Sequence, residues 1–150
     1  MGMSNQVVFY SLFLMGISAI LGCGSPQSEG ETSETNWPYE FVSTKSETKG
    51  SYNVSDLFAF SGELDVENLK LFCRSRYQQT NAEGFYYVVI FDDAGNAGFP
   101  STPLTAGYGL DEGLARHIRA VCEFNKINGF AELRYYEENQ WESVAKVEKL

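Results

Sequence analysis

The chain has 150 residues, enough for one domain and a tail. Its 11 Phe, 9 Tyr and 2 Trp supply the material for a substantial core. Its formal charge of −9 repels phosphate backbones and anionic lipid heads, which argues against nucleic acid as the main partner.

Every Lys, Arg, Asp and Glu lies after Cys23. Before it, residues 7–21 are apolar except for Ser11, Gly16 and Ser18. As a helix that stretch spans about 22 Å, at roughly 1.5 Å per residue. It falls short of the ~20 residues that cross a bilayer comfortably, and suits the apolar region of a signal peptide. It ends in Ile20-Leu21-Gly22-Cys23, which resembles the lipobox of bacterial lipoproteins. The resemblance covers only residues 1–23 and names a processing route, not a domain family. It implies a diacylglyceryl group on the Cys23 thiol, removal of residues 1–22 by a type II signal peptidase, and acylation of the new amine. Acyl chains at ~0.8 kcal/mol per buried CH₂ would anchor such a protein to the membrane. The implied location is the bacterial cell envelope, on the periplasmic or surface side. Gly24 is not the Asp that favours inner-membrane retention, so a Gram-negative host implies the outer membrane.

Residues 24–36, GSPQSEGETSETN, are all polar or small, so no face can be buried and a disordered spacer is expected. At about 5–6 Å × √n it reaches on the order of 20 Å. Trp37, Pro38, Tyr39, Phe41 and Val42 interrupt the polar run. They either dock on the domain or act as a recognition peptide for a partner. Residues 43–51 turn polar again. The chain thus divides into a signal peptide (1–22), a lipidated cysteine with a flexible acidic linker (23–51) and a globular domain (52–150).

Within the domain, the apolar run at residues 57–60 closes at Ser61-Gly62 and reads as a first strand. Asp65 is a good N-cap, and Leu64 before it can staple onto Leu69. The spacing of Val66, Leu69, Cys73 and Tyr77 predicts a helix over Val66–Gln79. Phe72 widens the apolar stripe, and Arg74 and Gln78 lie outside it. Phe85–Phe91, FYYVVIF, is β-branched and aromatic on both faces, and so predicts a central strand with cover above and below. Asp92-Asp93-Ala94-Gly95-Asn96 is a turn by composition. Residues 92–110 form a long connection that carries Phe99, Leu104 and Tyr108. Loops this long in a compact domain are often functional. With Trp141, these residues are the candidate binding surface.

Residues 117–124 fit either a helix or a strand. Asn128-Gly129 settles the choice as a hairpin with a two-residue loop. That register faces Ile127 with Phe130, Phe124 with Leu133 and Cys122 with Tyr135. On the other side it faces Glu123 with Arg134 and Arg119 with Glu138. Alternation over residues 141–147 predicts a last strand, at an edge because of Lys146, Glu148 and Lys149. The expected fold class is α+β: a single β-α-β-β-β(-β) domain, with a mainly antiparallel sheet and one helix packed on one face.

Few residues carry chemistry. Cys73 and Cys122 fall on inward faces, and either form a disulfide or remain buried free thiols. The disulfide, closing a loop of about 50 residues, would contribute roughly 3–4 kcal/mol. No metal is expected, because two isolated Cys and one His lack ligand spacing, and Asp92, Asp93 and Asn96 lack the calcium-loop pattern. No cofactor is implied. His117 is the only His, belongs to no nucleophile motif, and reads as a solvated residue on the polar face of the hairpin. The expectation is a non-catalytic binding or interaction domain, held to the membrane by lipid and meeting a protein or another envelope component. The alternative is a small envelope hydrolase using carboxylates and His117.

Overall fold

The computed structural model describes residues 36–47, 52–104 and 111–150. A six-stranded sheet runs in the order β1 (Glu40–Glu47), β2 (Asn53–Ala59), β3 (Phe85–Phe91), β4 (Ile118–Asn125), β5 (Phe130–Tyr135), β6 (Lys146–Lys149). All neighbours pair antiparallel except β2 and β3, which run parallel. A parallel pair needs a crossover, and the helix α1 (Val66–Gln79) supplies it. The Asp65 carboxylate accepts from the N–H groups of Glu67 and Asn68, so the helix starts where its cap predicts. A one-turn helix α2 (Glu112–Ala115), capped by Asp111, leads into β4. The α+β class, the mainly antiparallel sheet and the single main helix are those expected.

The central strand explains the core. From β3, Tyr86, Val88 and Ile90 point to one face, under Leu69, Phe72 and Cys73 of α1. Tyr87, Val89 and Phe91 point to the other, where Leu104 and Tyr136 cover them with help from Phe99 and Leu114. A strand buried on both faces is apolar in both phases of the alternation. Cys73 and Cys122 form a disulfide that joins α1 to β4, with Cα atoms 6.3 Å apart.

The folded part begins earlier than residue 52. Trp37 and Tyr39 dock on α1, with Tyr39 and Phe72 ring centroids 4.5 Å apart and Trp37 edge-on to Phe72 at 5.5 Å. Glu40–Glu47 then forms the edge strand β1, paired from Glu40 opposite Ala59 to Glu47 opposite Asn53. Its polar composition resembles a spacer because an edge strand shows much of its surface to water. The strand expected at residues 57–60 likewise begins earlier, at Asn53, because Ser55 and Asp56 are buried within it and do not bound it.

The β4–β5 hairpin forms with a different register. Its loop comprises residues 126–129, and Asn125 pairs with Phe130. Two asparagines hold this longer turn: Asn125 Oδ1 accepts from Ile127 N–H, and Asn128 Oδ1 from Phe130 N–H, both at 2.9 Å. Gly129 takes φ +74°, the left-handed region glycine favours. Cys122 therefore faces Leu133, Phe124 faces Ala131 and Glu123 faces Glu132. The slip is an even number of residues, so every side chain keeps its face. Arg134 still reaches Glu123 diagonally at 2.7 Å. Arg119 does not meet Glu138; its carbonyl accepts from Tyr136 N–H instead. The last strand is shorter than expected. Asn139 Oδ1 accepts from the N–H groups of Trp141 and Glu142, which turns the chain there and delays β6 to Lys146.

Candidate functional site

Strand directions gather the C-terminal ends of β2, β3 and β5 with the N-terminal ends of β1, β4 and β6 at one end of the sheet. The residues best equipped for chemistry meet there.

Asp92 follows β3 and His117 precedes β4. The His117 ring donates from Nδ1 to Asp92 Oδ2 at 3.0 Å, and Asn96 Nδ2 donates to Asp92 Oδ1 at 3.1 Å. Burial pushes the Asp92 carboxyl up, but the hydrogen bonds from His117 and Asn96 outweigh it and hold the group below its ordinary value. His117 is therefore paired, not simply solvated on the hairpin face. It sits in the turn that ends α2, where its N–H donates to Leu114 O, and the strand begins one residue later. An open cleft of about 280 Å³ lies alongside, bordered by Pro38, Glu40, Ser61, Asp92 and Asp93. A carboxylate can orient an imidazole for proton transfer.

A second cleft, of about 380 Å³, opens between the start of α1 and the ends of β4, β5 and β6. Its central charge is Arg119. Ile90 pairs with Ala120 and Phe91 with Ile118, so Arg119 is the extra residue of a β-bulge. The bulge turns Ile118 to the second face while Ala120 stays on the helix face. Arg119 then lines the cleft with Leu64 and Val66 of the helix approach and with Tyr135 and Tyr136. Its Nε is buried and has no hydrogen-bond partner. Among the described residues, no acceptor or carboxylate pairs with the rest of the guanidinium. Lys146 also borders this cleft, but Glu137 holds it at 2.6 Å.

The candidate surface read from the sequence does not assemble as one patch. Leu104 is buried in the second-face core, and its N–H donates to the Glu47 carboxylate. Phe99 packs partly against the same core, under the Lys45 ammonium at 5.7 Å. Trp141 is exposed on its turn, with the Arg116 guanidinium 5.5 Å from the ring centre. Tyr108 and Cys23 lie outside the described residues. Much of the long connection is thus a lid on the sheet. Leu104→Ala is expected to lower stability by about 2–3 kcal/mol, the usual effect of emptying a core leucine site. Urea unfolding would check this, and a change under about 0.5 kcal/mol, the range of ordinary surface substitutions, would return Leu104 to the surface.

A third polar group is buried under α1. Asp56 Oδ2 accepts from Tyr86 Oη at 2.6 Å and from Arg76 Nη2 at 2.7 Å. Arg76 also lies over the Phe58 ring, 5.3 Å from its centre. The three residues tie α1 to β2 and β3. Sequence reading missed them, although a carboxylate inside an apolar strand is itself a signal, since a buried charge needs a partner.

No family model, no curated protein and no solved structure matches this chain. The reading of function rests on the residues themselves.

Proposed function

We propose that this is a lipid-anchored protein of the bacterial cell envelope whose domain binds a ligand or partner without transforming it. The clefts at one end of the sheet carry the binding half of this reading, above all the one where a guanidinium is left without an acceptor. The sequence Ile20-Leu21-Gly22-Cys23 and the acidic spacer after it support the anchoring half. The Cys73–Cys122 disulfide fits an oxidising compartment outside the cytoplasm. The partner is a protein or another envelope component.

Intact mass of the protein extracted from membranes is expected to lack residues 1–22 and to gain lipid. Cys23→Ala is expected to accumulate at full length without lipid. A wild-type mass that keeps residues 1–22, or gains no lipid, would overturn the anchor. The Asp92–His117 pair favours a second reading, a small hydrolase. Hydrolysis of envelope substrates that His117→Ala abolishes would put that reading in place of the first.

A further inference from the structure

We infer that the Arg119 cleft recognises a single carboxylate carried on a small apolar or ring-shaped body. This rests on the binding reading and names the ligand class for one of its clefts.

Of the other four arginines, Arg74 is exposed on α1, and Arg76, Arg116 and Arg134 each pair with a carboxylate at 2.7 Å. The chain holds 20 acidic residues against 11 basic ones, so acceptors are plentiful. The Arg119 Nε is buried without a partner. Nε is buried without a partner in Arg76 and Arg134 too, but their Nη2 atoms hold carboxylates; among the described residues Arg119 has no such carboxylate, and it lines an open cleft. A guanidinium cannot shed its charge, so it remains a standing demand for an anion.

Shape points to the same ligand. Guanidinium is a planar fork that matches two carboxylate oxygens at once. The bulge that inserts Arg119 fixes its backbone between Ile118 and Ala120, and bulges are devices for re-aiming a side chain. Leu64 and Val66 supply apolar wall and the tyrosines supply ring surface, beside which an uncharged body can lie. The volume, about 380 Å³, falls within the usual range of small-ligand pockets, which begins at roughly 300 Å³.

Charge narrows the ligand class further. Besides Arg119 the cleft is bordered by Lys146, Glu63 and Glu137, and Lys146 is already held by Glu137. One cation is therefore free to take a ligand, with a carboxylate close by. A dianionic phosphate finds too little positive charge here, whereas a monoanion is matched by Arg119 alone. Such a carboxylate belongs either to the end of a peptide or to a sugar acid.

The test titrates the full chain, in detergent, with five probes: N-acetyl-leucine, its neutral amide, glucuronate, glucose and inorganic phosphate. Binding is followed by NMR at the Arg119 Nε–H and at the amides of Leu64 and Tyr136. At least one acid is expected to shift these signals while its neutral counterpart does not. Arg119→Gln is expected to weaken that binding ~10-fold or more, with distant amides unmoved. Arg119→Lys keeps the charge and loses the fork, and is expected to fall between; it also serves if the glutamine variant fails to fold. A response to N-acetyl-leucine alone supports a peptide end, and a response to glucuronate alone supports a sugar acid. Silence from both acids, equal binding of a neutral counterpart, tighter binding of inorganic phosphate, or unchanged affinity in both variants overturns the proposal. Because the readout is at the cleft, failure here leaves the mass test of the anchor standing, and the converse holds.

Discussion

Replacing Cys73 and Cys122 together by alanine is expected to lower the unfolding free energy by about 4 kcal/mol and the melting temperature by on the order of 15 °C. The bridge spans a sequence separation of 49 residues, so in the chain-entropy view it removes a large loop's freedom from the unfolded state. Both sulfurs are buried between α1 and the sheet, so the alanines also leave small voids. Thermal unfolding followed by circular dichroism would measure the loss. A shift of only about 3 °C, little more than half a kcal/mol for a domain of this size, would mean that the bridge contributes little. Intact mass of the untreated protein should also fall two protons below the reduced mass.

Asp56→Ala is expected to cost about 3 kcal/mol. Its carboxylate is 8% exposed and accepts from two donors. The Tyr86 hydroxyl, wholly buried, would lose its acceptor, a penalty of about 1–3 kcal/mol. Arg76 is 31% exposed, so water screens part of its loss. Tyr86→Phe is the milder change, about 1 kcal/mol, because Asp56 keeps Arg76. Tyr86→Phe also differs from the unsubstituted protein in alkali. Burial, and then the hydrogen bond to Asp56, pushes the Tyr86 hydroxyl well above its ordinary value. Burial, and then the charge of Asp65, pushes Tyr39 up to about 12. A tyrosine raised in the folded state contributes stability that is intact below the unfolded value of about 10 and is lost as pH rises through the folded value. Urea midpoints are therefore expected to fall above about pH 10, and less steeply in Tyr86→Phe. Equal alkaline slopes in Tyr86→Phe and the unsubstituted protein would remove Tyr86 from the account.

How legible these features were depended on how local their causes are. Asp65, its first-turn partners and the Leu69–Cys73–Tyr77 spacing lie within one stretch, and α1 has the limits that stretch predicts. Phe85–Phe91 announces a doubly covered strand by its composition alone. The edge strand β1 did not announce itself, since Ser43, Thr44 and Lys45 suit a spacer as well as a strand with water on one side. The hairpin register turned on Asn125 and Asn128 binding backbone, a competition between a two-residue and a four-residue loop that Asn-Gly alone does not decide. The site was least visible. Asp92 and His117 are 25 residues apart and meet only because β3 and β4 pair. Arg119 stands out only once a bulge is known, and a bulge belongs to two strands at once. Asp56 looked like the boundary of a strand because its partners, Tyr86 and Arg76, lie 30 and 20 residues away.

The parallel pairing of β2 with β3 has a kinetic side. The β4–β5 hairpin closes over a four-residue turn, and such hairpins form in about 1–10 μs. The β2–β3 junction must wait for α1 and its flanking loops to carry the chain back along the sheet, and longer closures are slower to be rewarded. It is therefore a seam between an N-terminal β1–β2 unit and a C-terminal meander. Cys73 lies on the crossover and Cys122 on the meander side, so their bridge is a rivet driven across that seam. Once the bridge is formed, the crossover and the meander separate only as far as it allows.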